Sequence, residues 1–508
     1  MHPLKLLLLA FAASALATGT ARADVKPHPV FSDNMVLQQN TTVNVWGKAD
    51  PGEQITVELA GAGVTQKSRR ETTDKDGNWR AKLLTQKAGT GYTLSVRGNN
   101  TITLNNVAVG EVWVCSGQSN MQWEFWRPNL GEQGKTVPAG AKNANIRLMT
   151  LQRNTATTPQ YDFPVVSVPR EGTKGEGPKV QYGKWLECEQ AAVQEFSAVA
   201  YYFGRDLEKA LKVPVGLIVN SWGGMPVEAY TSLGALDAEP SLKHYADRAR
   251  AAAKQFETDK KPAAPNTPTV LYNALVHPLL KFPVKGAIWY QGESNAGRAF
   301  EYRTLYPAMI KDWRTRWGGE LPFVGVQLAP FQGGKSGVDY AELRDAQRHA
   351  TTVLPKVGIA VITDAGHETD IHPPQKEVVG ARLALNAWAL AYGEKVEYLG
   401  PVLKDAKYAS GTATLTFTHV GGGLVAKGGD LVGFTLAGKD GKFHPAKATI
   451  KDDTVVLTSE MVPEPVAVRY GWVNFAKPTL NLFNKEGLPA TPFRTDDAPL
   501  TTQPPPKK

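Results

Sequence analysis

Ser119 lies just past an apolar run, in the segment Val112-Trp113-Val114-Cys115-Ser116-Gly117-Gln118-Ser119-Asn120-Met121. A buried strand ending at Ser116-Gly117 leaves Ser119 in the turn that follows, where glycine permits close backbone approach. A hydroxyl there suits nucleophilic attack on a carbonyl, with neighbouring backbone N–H groups facing the oxyanion that forms. Free serine is a poor nucleophile near neutral pH and needs a base within hydrogen-bond reach. Asp370-Ile371-His372-Pro373 supplies one: His372 as the base and Asp370 to orient the imidazole. His367 is a rival base and Asp364 a rival acid. Each segment alone has a plainer reading, Ser119 as a helix cap or turn residue and Asp370-x-His372 as cap chemistry beside a surface histidine.

Two further segments shift that balance. Asn220-Ser221-Trp222-Gly223-Gly224 follows the apolar strand Gly216–Val219, and Gln291-Gly292-Glu293-Ser294-Asn295 follows Ala287–Tyr290. An oxyanion hole could draw on backbone N–H groups near Ser119, an unobstructed N–H from the Gly223-Gly224 pair and a side-chain amide of Gln291 or Asn295, each donor being worth on the order of 3 kcal/mol of transition-state stabilisation. Gln118, Trp222 and Glu293 are expected on the substrate side, with Glu293 orienting its neighbours and not donating a proton. Trp123, Trp126, Trp222 and Trp289 lie in or near these segments; core packing is the plainer reading of most of them.

The elements that must hold these residues follow from hydrophobic patterning. Thr42–Trp46, Gln54–Leu59, Trp79–Leu83 and Tyr92–Val96 read as alternating strands between turns, a small antiparallel β-sandwich over 24–106. From about Val107 continuous apolar strands appear, namely Val112–Cys115, Gly216–Val219, Ala287–Tyr290, Phe323–Leu328 and Gly358–Ile362. They alternate with the helix-period stretches Ser197–Leu211, Phe300–Trp317 and Glu377–Tyr392. This predicts an α/β domain over 107–396, a parallel sheet covered on both faces, with ligands past the carboxyl ends of its strands. Surface insertions are expected at 165–183 and 240–268, the second opening on a helix from Leu242 to Phe256. Thr412–Thr418, Val432–Leu436, Thr454–Thr458 and Val466–Arg469 predict a second β-domain over 397–495, and 496–508 a disordered tail.

Residues 1–23 have the order of a secretory leader: Lys5, an apolar run from Leu6 to Ala17, then Ala21-Arg22-Ala23 before the expected cleavage site. The run is shorter than the ~20 residues a bilayer span needs. A secreted or periplasmic chain without a membrane partner is the expectation. The 508 residues carry 57 basic and 48 acidic side chains, a formal +9 that loss of Lys5 and Arg22 would lower by two. The excess is spread along the chain, so no nucleic-acid partner is expected. No phosphate-binding glycine loop or metal-ligand cluster is evident, and no metal or cofactor is expected. Cys115 and Cys188 could pair or stand free; oligomeric state is not readable.

Together these segments resemble the sialate O-acetylesterase family, a branch of the SGNH (GDSL-like) hydrolases. The likeness rests on Val30-Phe31-Ser32-Asp33-Asn34-Met35-Val36-Leu37-Gln38, Gly117-Gln118-Ser119-Asn120-Met121, Asn220-Ser221-Trp222-Gly223-Gly224, Trp289-Tyr290-Gln291-Gly292-Glu293-Ser294-Asn295 and Asp370-Ile371-His372-Pro373. Val468-Arg469-Tyr470-Gly471-Trp472 and Gly487-Leu488-Pro489-Ala490 extend it toward residue 495. The resemblance implies a three-layer αβα hydrolase core with accessory β regions. It further implies Ser119 as nucleophile, His372 as base, Gly223 in the oxyanion hole, and an acetylated carbohydrate as substrate. Many SGNH enzymes space acid and base as Asp-x-x-His; here Thr369 holds that acid position and Asp370 is one residue closer. Acetylated sialic acid and acetylated xylan are the competing substrates. A carbohydrate-binding protein without activity is the reading from another class.

Overall fold

The computed structural model describes residues 24–505 apart from 62, 86 and 174–176. The expected leader at 1–23 lies outside the described residues. Six parallel strands form the centre: β1 (Thr101–Gly117), β2 (Lys142–Thr150), β3 (Val215–Val219), β4 (Gly286–Tyr290), β5 (Phe323–Val326) and β6 (Val357–Ala360). Their order across the sheet is β2-β3-β1-β4-β5-β6, with Leu186–Glu189 antiparallel on the outer edge of β2. The chain leaves β1 toward β2 and β3, then returns past β1 to build β4, β5 and β6 on the other side. That reversal makes the carboxyl end of β1 a topological switch point, where the flanking loops diverge and leave a crevice.

The pleat of β1 explains the two packed layers. Val112 and Val114 join a core with Ile218, Ala287, Trp289 and Phe323, while Trp113 and Cys115 point into the opposite core with Leu217, Ile288 and Val324. Helix α1 (Ala198–Leu211) and helix α4 (Lys376–Tyr392) cover the second face; α2 (Ala299–Trp317) and α3 (Asp339–Val353) pack on each other against the first. Ser197 caps α1 by accepting the Ala200 N–H at 3.1 Å. Cys115 and Cys188 are both free and buried.

The boundary expected at 106/107 falls inside β1. That strand spans 17 residues: its first half pairs antiparallel with Gly89–Arg97, its second half parallel with β3 and β4. Asn106 at φ 54° marks the bulge between the halves. Side chains of the N-terminal strands, among them Val43, Val57, Leu83 and Leu94, share one continuous core with the central sheet. The C-terminal strands have a separate core around Leu415, Leu436, Val455 and Val468. The 165–183 excursion is a hairpin of Val166–Pro169 on Lys179–Tyr182. The described part of the tail, 496–505, is anchored: the Thr501 N–H bonds Oε1 of the buried Glu342 at 2.6 Å, and the Thr502 hydroxyl bonds Oε2 at 2.6 Å. A composition rule sees only the prolines and lysines of this tail, whereas a buried carboxylate 160 residues away supplies its anchor.

Candidate active site

Both neighbours of β1 shape the turn after it. Gln118 donates its N–H to the Tyr290 carbonyl at 2.9 Å, and Trp222 donates to the Gly117 carbonyl at 3.1 Å. Gly117 sits at φ 136°, and a Cβ there would strike the Tyr290 carbonyl oxygen, so the turn needs glycine. A single helical turn, Ser119–Gln122, begins at the serine. The Met121 and Gln122 N–H groups both donate to the Gln118 carbonyl at 3.0 Å.

His372 reaches this turn from the far side of the sheet. The 361–375 loop leaves β6, three strand spacings or ~14 Å from β1. It brings Nε2 to 2.8 Å from the Ser119 Oγ. Trp123 stacks on the imidazole at 3.9 Å between centroids, with 17° between planes. Burial, then the nearby Lys376 charge, hold the His372 pKa down at about 4; Asp370 opposes them and Arg127 adds to them. The ring is therefore neutral across the physiological range.

Asp370 anchors the loop backbone more closely than the ring. Its Oδ1 accepts the His372 backbone N–H at 2.8 Å, while His372 Nδ1 lies 3.7 Å from the same oxygen, an ion-pair separation beyond hydrogen-bond length. Asn129, which no local motif singles out, donates to Asp370 Oδ2 at 3.2 Å and to the His372 carbonyl at 2.6 Å. Trp123 in turn donates to Asn129 Oδ1 at 2.6 Å. The rivals are engaged elsewhere. Asp364 is held by both Arg382 Nη atoms, at 2.5 and 2.8 Å, and His367 Nδ1 accepts the Asp370 N–H at 2.9 Å.

The expected oxyanion donors divide into two groups. Gly223 packs against the serine: a Cβ on it would lie 3.2 Å from the Ser119 Cβ, which keeps this approach open to glycine. Its N–H now donates to Gln122 Oε1 at 2.9 Å. The amides of Gln291 and Asn295 are bonded away from the serine. Gln291 Nε2 donates to Asn295 Oδ1 at 2.6 Å and weakly to the Met225 carbonyl at 3.4 Å; Asn295 Nδ2 donates to Glu228 Oε2 at 3.0 Å. Both residues are buried, so competition for acceptors inside the fold, invisible in the sequence, decides where these donors point.

Of the residues expected on the substrate side, Gln118 is buried, its Oε1 accepting the Gly292 and Ser294 N–H groups at 3.3 Å each. Trp222 is partly exposed against the core. Glu293 Oε1 accepts from Asn120 Nδ2 at 2.6 Å. Trp289 is wholly core, and Trp126 lies under the Arg127 guanidinium at 4.2 Å. Among the described residues no cluster of three or more His, Cys, Asp or Glu side chains could hold a metal, and no helix is long and apolar enough to cross a membrane.

Ser119 and His372, both partly buried, meet at the switch point, and comparison with known proteins gives the chain a family. The model of the carbohydrate esterases termed sialic acid-specific acetylesterases matches residues 109–388, more than half of the chain. The chain belongs to this family. It is an esterase of the carbohydrate acetylesterase kind, built on an α/β core with added β-rich regions. The sialate O-acetylesterases of Pongo abelii and Homo sapiens are each 28% identical over 498 residues, covering 91% of this chain and 91% of theirs. A solved carbohydrate acetylesterase of Xanthomonas citri is 36% identical, with a TM-score of 0.80 over 93% of this chain and 100% of its own.

Proposed function

We propose that this esterase removes O-acetyl groups from a carbohydrate through attack by Ser119, with His372 as general base. The observation that carries the reading is the 2.8 Å contact between His372 Nε2 and Ser119 Oγ. With the ring proton on Nδ1, toward Asp370, Nε2 accepts the hydroxyl proton as Oγ bonds to the acetyl carbon. The Ser119 N–H and the Gly223 N–H receive the oxyanion, the substrate displacing Gln122 Oε1 from Gly223. Collapse breaks the carbon–oxygen bond to the sugar, whose oxygen takes the proton from His372. Water then attacks the acyl-enzyme, passes its proton to His372, and releases acetate and free Ser119. Asp370 holds the His372 loop and favours the charged imidazole electrostatically; its 3.7 Å separation assigns it less than the directly bonded acid of a closed triad. The leader-like residues 1–23 support action outside the cytoplasm.

Acetylated sialic acid is the substrate that family membership supports. Acetate release from it is expected to exceed release from acetylxylan when both are offered at equal ester concentration. The reverse ranking would move the enzyme to the polysaccharide reading.

The pH profile tests the base. Because the His372 pKa is lowered, the neutral imidazole persists into acid, and kcat/KM should fall only as pH drops through about 4. An acid limb centred near 6.5, the value of an unperturbed histidine, would mean that burial and the adjacent cations do not act on the catalytic base.

A further inference from the structure

A lysine sits where the fold has no ordinary use for one. Lys376, the first residue of α4, has 0% of its surface exposed, and its Nζ donates to Asn120 Oδ1. The same amide donates from Nδ2 to Glu293 Oε1 at 2.6 Å and to the Ile371 carbonyl at 3.0 Å. Asn120 follows the nucleophile in the chain and Ile371 precedes the base. The amide therefore ties the serine turn to the histidine loop, with a cation on its oxygen and a carboxylate on its nitrogen. Glu293 Oε2 is buried without a side-chain partner; burial raises the carboxyl's pKa, opposed by the Glu293 and Gly292 backbone, the Asn120 amide and the field of Lys376. The rings of Trp123 and Tyr290 lie 5.8 and 5.6 Å from the ammonium.

We infer that Lys376 is a positioning residue for the esterase reaction, clamping Asn120 with Glu293 so that the Ser119 turn and the His372 loop stay in register. The inference rests on Ser119 and His372 being the reacting pair. An isolated buried charge is costly, and a fold keeps one where it is paired or bonded. Here the bonds run to the two backbone segments whose separation sets the chemistry. Lys376 also acts on the base through space. The charged and titratable groups around His372 are Asp370 on its own loop, Lys376 on α4 and Arg127 beside Trp123; those around Lys376 are Glu293, Asp370 and the Tyr290 phenol. Glu377, the next residue on α4, is paired with Arg205 at 2.9 Å. Lys376 and Arg127 oppose protonation of the imidazole, and Asp370 favours it.

The test compares Lys376→Met, Lys376→Gln and Lys376→Arg with the parent enzyme by pH profile of kcat and kcat/KM. Lys376→Met keeps the volume and removes both donor and charge; kcat should fall about 100-fold with KM changed less than about threefold, and the acid limb should move up by about one pH unit. Lys376→Gln keeps a donor to Asn120 without the charge: the limb should move as far, with a smaller loss of kcat. Lys376→Arg should hold the limb in place. Should the Met variant fail to fold, the Gln variant carries the same comparison. A shifted limb with unchanged kcat, or a lost kcat with an unmoved limb, would overturn the positioning role. A parent profile without an acid limb would instead overturn the assignment of His372.

Discussion

Ser119→Ala is expected to reduce acetate release from p-nitrophenyl acetate by about 10⁴-fold or more, with the fold intact. The hydroxyl is the group bonded to His372 Nε2, and nearby serines are not placed to replace it. Ser116 is fully buried within β1, and the Ser221 hydroxyl is buried at the end of β3. The N–H groups that would receive the oxyanion are backbone and survive the substitution, so a residual acceleration over water should remain. His372→Ala should cost a similar factor. The double variant should be little worse than either single one, because nucleophile and base act as a unit and their losses do not add. Retention of most activity by Ser119→Ala would move the chemistry to another residue.

The second large effect is on stability. Arg344, on α3, is 2% exposed and donates to four carbonyls: Leu328 at 2.8 Å, Ala329 at 3.2 Å, Val473 at 2.8 Å and Asn474 at 2.8 Å. The first pair lies in the loop after β5 and the second in the C-terminal region, so one guanidinium joins two separate cores. Burial pushes its pKa down to about 10, and it stays charged at neutral pH. Arg344→Ala would strand the Leu328 and Ala329 carbonyls, take a donor from those of Val473 and Asn474, and should cost about 3–5 kcal/mol, read as a lower denaturation midpoint and earlier proteolysis of the C-terminal region. Arg344→Lys should recover only part, since an ammonium cannot reproduce the planar fork. A midpoint within about 0.5 kcal/mol of the parent would show that these carbonyls find other donors.

Legibility in the sequence followed local physics. The β4 and β6 runs were readable because a strand buried on both faces must be apolar throughout. Helix α3 was not readable, although it spans 15 residues. Its buried face carries Glu342, Arg344, Asp345 and Gln347, so the apolar period that announces a helix is broken. Those polar groups are tolerable only because distant partners satisfy them; Gln347, for one, accepts the Leu328 N–H at 2.8 Å and donates to the Gln291 carbonyl at 3.0 Å. Lys376 was hidden for a related reason. A lysine at a helix start reads as solvated, and nothing local tells of the amide that receives it.

Ser119 was thus legible in the chain alone, because a glycine-bearing turn after an apolar run is a local event, whereas His372 lies well past the end of β6 and was legible only as an imidazole two residues after a carboxylate. How the His372 loop is held, which amides remain free and which charges are enclosed were decided only in the folded arrangement, where Asn129 meets Asp370 across 241 positions and Asn120 meets Ile371 across 251. Arg382 took Asp364, Asn295 took Gln291, and Asn129 bonded both Asp370 and the His372 carbonyl. Hydrogen-bond partners inside a protein are chosen by proximity and competition, and neither is a property of any single stretch of sequence.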